Sequence, residues 1–120
     1  MQTVDLLGTF GSQADLDSFA KAFFEAIGIF EYEERESSNY IDEHYFIGSD
    51  GALSVQICIY DVEGYEDMPY WVTIDADMAK LEDLVDLVDQ IVRKKAMPMG
   101  FRFARMINIG RIEGENRIDY

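Results

Sequence analysis

His44-Tyr45-Phe46-Ile47-Gly48-Ser49-Asp50-Gly51-Ala52-Leu53-Ser54-Val55-Gln56-Ile57-Cys58-Ile59-Tyr60, followed after an acidic loop by Tyr70-Trp71-Val72-Thr73-Ile74-Asp75, is the stretch that decides the fold. Asp50-Gly51 lies between two apolar segments, and both residues tolerate the positive φ of a tight hairpin turn. Leu53, Val55, Ile57 and Ile59 alternate with Ser54, Gln56, Cys58 and Tyr60, the two-residue period of a half-buried strand. Tyr70, Val72 and Ile74 alternate with Trp71, Thr73 and Asp75 in the same way, which turns the second set away from the core. Three such strands joined by short connections pair antiparallel.

Upstream, Val4, Leu6, Gly8 and Phe10 predict a first strand. Leu16, Phe19, Ala20, Phe23 and Ile27 then follow the 3.6-residue period of a helix. Ser12 is placed to cap it with Asp15 completing a capping box, and Gly28 is placed to end it. Residues 29–36 predict a strand with Phe30 and Tyr32 inward and Glu31, Glu33 and Arg35 outward. Whether 29–36 and 40–47 form two strands or one bent strand stays open.

Downstream, Leu81, Leu84, Val85, Val88, Ile91 and Val92 form the apolar stripe of a second helix over 78–96. Asp77 is its expected cap, Arg93-Lys94-Lys95 suit its negative end, and Met97-Pro98-Met99-Gly100 stops it. Phe101, Phe103, Arg105, Ile107 and Ile109 predict a last strand, and the polar tail from Gly114 to Tyr120 is expected to fray. The order β-α-β-β-β-α-β predicts an α+β fold: a four- to six-stranded, mostly antiparallel sheet with two helices on one face. One domain over 1–120 is expected.

Charge is the unusual bulk property. The chain has 24 acids, 10 bases and a net charge of −14. Residues 1–92 carry only Lys21, Arg35 and Lys80 as bases, whereas 93–120 hold Arg93, Lys94, Lys95, Arg102, Arg105, Arg111 and Arg117. Such a field argues against direct binding of nucleic acid or an anionic membrane, because phosphates need cations. It favours a basic partner, or solubility alone. No apolar segment approaches the ~20 residues of a membrane span. The N-terminal residues have no leader pattern, and Cys58 has no second cysteine to pair with. A cytoplasmic location is the expectation.

No reaction is spelled out. His44, the only histidine, follows Asp42 and Glu43, but consecutive residues of a strand point to alternate faces, which is poor metal-ligand spacing. A Cys58–His44 dyad depends on hairpin register. A two-residue loop puts them on opposite faces, and a three-residue loop puts them on the same face at about 7 Å. Phosphate-loop, nucleophile-elbow and paired-cysteine motifs are absent. The expectation is no catalytic residues, no metal and no cofactor.

The binding reading rests on an aromatic and acidic set. Trp71 turns outward on its strand, beside a loop carrying Glu63, Tyr65, Glu66 and Asp67, and the second helix carries Glu82, Asp83, Asp86 and Asp89 opposite its stripe. Interfaces draw energy from Trp and Tyr anchors, and charge sets association rate and orientation. The competing reading packs Trp71 beneath the last strand or a second copy, and a homodimer stays open.

In these features the chain resembles bacterial immunity proteins, the partners of contact-dependent inhibition and related polymorphic toxins. The resemblance implies an acidic, non-catalytic protein that forms a one-to-one complex with a cognate toxin domain, often a basic nuclease, and covers its active site. Two other readings remain. One is a nucleic-acid mimic that inhibits a DNA- or RNA-binding protein. The other is a small-molecule binder or enzyme, which would need a concave pocket with perturbed carboxylates near His44.

Overall fold

The computed structural model describes residues 1–11, 15–37, 44–111 and 113–120. Strands β1 (Gln2–Phe10), β2 (Tyr32–Glu36), β3 (His44–Ser49), β4 (Leu53–Ile59), β5 (Tyr70–Ala76), β6 (Phe101–Ile107) and β7 (Asn116–Asp119) form one sheet in the order β2-β3-β4-β5-β1-β6-β7. Every pairing is antiparallel. Helices α1 (Leu16–Ile27) and α2 (Leu81–Ile91) occupy the β1–β2 and β5–β6 connections. The fold is α+β, as expected, with one strand more than the expected maximum of six.

Both helices lie on the same face for a topological reason. Pairing directions make β1 parallel to β2, and β5 parallel to β6. The two crossovers start from antiparallel strands and step in opposite directions along the sheet. Connections of one hand therefore deliver both helices to one side. There Phe19, Phe23, Phe24, Leu84, Val88 and Val92 bury against Leu6, Val55, Ile57, Val72, Ile74 and Phe103 in a single core. The alternation read for β5 holds: Tyr70, Val72 and Ile74 face this core.

Several expectations need correction. Helix α1 is capped by Asp15, whose carboxylate accepts from the Ser18 N–H at 2.8 Å, so Asp15 is the cap itself and not the third residue of a capping box. Ser12 lies outside the described residues. Gly28, at φ 81°, ends α1 as expected, and its N–H donates to the Phe24 and Glu25 carbonyls. Phe30 is not inward. It is 76% exposed, whereas Tyr32 is inward as expected, stacked on Phe24 at 4.5 Å. Gly48 allows this packing, because a Cβ there would lie 2.8 Å from the Phe24 ring.

The open question over 29–47 resolves into two paired strands, β2 and β3. Asp77 does not cap α2. The helix starts at Leu81, and Lys80 at the cap position makes no side-chain cap bond. Its far end widens to a π-helical turn over Val92–Ala96, in which the Met97 N–H reaches the Val92 carbonyl, and a short 3-10 turn at Met97–Met99 then ends at Gly100. The tail does not fray. Asn116–Asp119 pairs with β6, and the Tyr120 N–H donates to Phe103 O at 3.1 Å.

Candidate functional site

The strand alternation that buries one set of side chains under the helices sends another set to the opposite, helix-free face. Leu7, Tyr60, Met68 and Met106 are buried there in a second, small cluster, with Tyr65, Trp71 and Ile109 packed against it. Trp71 lies directly between Leu7 and Cys58 across the sheet. Its ring meets Tyr60 edge-on at 5.5 Å. The indole N–H donates to Asp5 Oδ1 at 2.9 Å, and Thr73 Oγ1 donates to the same oxygen at 3.1 Å. Trp71 is half-buried and held at both its ring and its N–H.

The 61–69 loop folds down over this cluster and does not project from it. Tyr60 N–H donates to Pro69 O at 2.8 Å and closes the loop at its base. Within it, Met68 N–H reaches Tyr65 O, and Glu66 accepts from the Gly64 N–H at 3.0 Å. Tyr65 O–H donates to Glu115 at 2.6 Å, and Glu115 also accepts from the Gly110 N–H at 2.7 Å. Arg117 donates to both oxygens of Asp67, at 3.1 and 2.7 Å, and to Asp119 at 2.6 Å. The Arg117 hydrogen bonds hold the Asp67 carboxyl below its ordinary range. The Tyr65 hydroxyl does the same to Glu115, and the same bond raises Tyr65.

The expected binding residues therefore fall into two groups on opposite sides of the sheet. Tyr65, Glu66, Asp67 and Trp71 gather on the helix-free face, each with an internal partner, while Glu63 is exposed in the same loop. Glu82, Asp83, Asp86 and Asp89 lie on the helix-covered side. Asp89 accepts from the Tyr120 hydroxyl at 2.5 Å, and the Arg93 guanidinium sits 5.3 Å from the centre of that ring. Glu82, Asp83 and Asp86 are exposed, and among the described residues no cation pairs with them. Sequence reasoning missed Asp5, Glu115 and Arg117, whose roles depend on contacts with β5 and with the loop around Asp67.

Ser49 lies opposite Ser54, so the β3–β4 connection is longer than either register weighed from sequence. Asp50 holds it by accepting from the Ala52 and Leu53 N–H groups at 2.9 and 2.8 Å. The consequence for the dyad is decisive. His44 lies on the helix side, 2.9 Å from Glu34, and Cys58 is buried on the other face, where burial pushes its thiol up to about 11. His44 borders a recess with Asp15, Asp17, Ile59 and Tyr70. Asp15 is shifted downward there by its helix-capping bond, the opposite of the raised value a general acid needs. Among the described residues no three His, Cys, Asp or Glu side chains gather as a metal site. No described helix is long and apolar enough to cross a membrane.

Comparison with protein-family models, curated proteins and solved structures gave no match.

Proposed function

We propose that this chain is a non-catalytic binding protein that captures a basic protein partner, and that the partner is a toxin domain whose active site it covers. The observation that carries the reading is the exposed Glu82, Asp83 and Asp86 row on α2, free of cation partners among the described residues in a chain of net charge −14. Carboxylates without internal partners attract cations at long range and raise association rates, an effect that falls steeply with salt. The acids near Trp71 contribute less to this field, because Asp67 is neutralised by Arg117.

The test is affinity capture from lysate of the source organism at low and high salt, followed by a functional assay of the recovered partner. A single basic protein that is released as salt rises, and whose toxic activity falls when this chain is added, supports the reading. Recovery of a DNA- or RNA-binding protein displaced by free nucleic acid would shift it to the mimic alternative. No protein partner at either salt would overturn it. With the partner in hand, the triple variant Glu82→Gln, Asp83→Asn and Asp86→Lys should slow association about tenfold or more at low salt. Glu82 and Asp83 also complement the N-terminal end of α2, so a stability loss of about 1 kcal/mol accompanies the change.

A further inference from the structure

The sheet has two ends, and they differ. At the β7 end the outer strand is four residues long, and Arg117 is clamped between Asp67 and Asp119. At the β2 end, among the described residues, no strand pairs with the outer side of Tyr32–Glu36. A free edge offers unpaired N–H and C=O groups to any extended chain. Its side chains then determine which chain fits.

Register separates those side chains by face. Glu34 lies opposite Phe46, and Glu36 opposite His44, so both are on the helix side, where Glu34 also sits 2.9 Å from His44 Nδ1. Two residues along a strand place them about 7 Å apart. On the other side Glu33 and Arg35 pair with each other, which cancels their charge. Phe30, just before the strand, is 76% exposed, although its neighbour Ile29 is buried. A large exposed aromatic beside an open backbone edge is the anchor type that interfaces use. A shallow recess lined by Glu31, Tyr32, Ile47 and Ser54 adjoins the same edge.

We propose that β2 is the docking edge for an extended basic segment of the protein partner, which adds to the sheet as a further strand. Its cations occupy alternate positions facing Glu34 and Glu36, neutral or apolar residues lie between them above the Glu33–Arg35 pair, and Phe30 anchors one end. This deepens the basic-partner reading and rests on it. A second copy of this chain fits poorly, since β2 against β2 sets glutamates beside glutamates without added cations.

The probe is a capped eight-residue peptide alternating lysine with threonine and valine, added to the full isotope-labelled chain at low salt. Its control has glutamate in place of lysine. The expected result is chemical-shift change and slowed amide exchange centred on residues 30–36, with the 116–119 edge unchanged and the control silent. Glu34→Gln with Glu36→Gln should weaken binding at least tenfold, and Phe30→Ser, at an exposed position, should weaken it several-fold while leaving Tm unchanged. Shifts confined to residues 81–91 would overturn the edge proposal and leave the basic-partner reading standing. Equal binding by the control, or no binding at β2, would also overturn it, while the captured native partner decides the broader reading separately.

Discussion

The two faces of the sheet are made from the same strands and are held in different ways. Under the helices, rings interlock: Phe19 packs on Tyr70 at 4.5 Å and lies near Phe101 and Phe103 at 5.5 and 6.1 Å. On the other face a small cluster is closed by a loop, and the loop is tied down by Asp67–Arg117 and Tyr65–Glu115. Apolar burial scales with area and is insensitive to salt and pH, whereas exposed ion pairs are worth little and are screened. The helix-free face can therefore loosen while the helix-covered core stays folded.

Phe19→Ala should have the largest effect. It removes a fully buried ring packed between α1 and the β5 and β6 aromatics and should cost about 3–5 kcal/mol, read as a fall in urea midpoint. Trp71→Ala should cost less, about 2 kcal/mol, because the ring is only half-buried and Asp5 retains Thr73 as a donor. A cost matching that of Phe19→Ala would make the helix-free face an equal part of the core.

The smallest effect belongs to the loop ties. Arg117→Ala should cost under about 1 kcal/mol globally, since Asp67 is half exposed, yet it should speed amide exchange in residues 61–69. Acid acts on the same ties with a fixed sign. The Asp67 and Glu115 carboxyls sit below their ordinary values, so their contribution is complete above about pH 5 and is lost progressively as pH falls through the ordinary and then the lowered values. Trp71 fluorescence should therefore change in acid before the helix signal does. Simultaneous loss of both signals would mean that the two faces unfold as one.

What was legible in the sequence follows the range of the interaction. The α1 stripe and the alternation of β5 are local periods, and each predicts its burial directly. Strand β7 escaped because Asn116-Arg117-Ile118-Asp119 holds one apolar residue, Ile118, itself 46% exposed. Its pairing is set by the free edge of β6 and not by its own pattern. The hairpin register escaped because Asp50 can serve a tight turn or, as here, hold a longer one through its carboxylate. At the candidate surface, residue type identified the acids but not their partners. Asp67 and Arg117 are 50 positions apart, beyond any local rule, so a paired acid and a free one read alike.

The position of β1 has a kinetic consequence. First in the chain, it lies between β5 and β6, with Gln2 opposite Ala76 and Phe10 opposite Phe101. Closing loops of that length costs entropy before any contact repays it, so β1 is a poor starting point for folding. The β3–β4–β5 meander, joined by neighbouring segments, closes shorter loops. During synthesis the first strand must remain unpaired until β5 has emerged, and its second neighbour arrives only with β6. Until then Val4, Leu6 and Leu7, all buried in the finished sheet, stay open to chaperones and to one another on neighbouring chains.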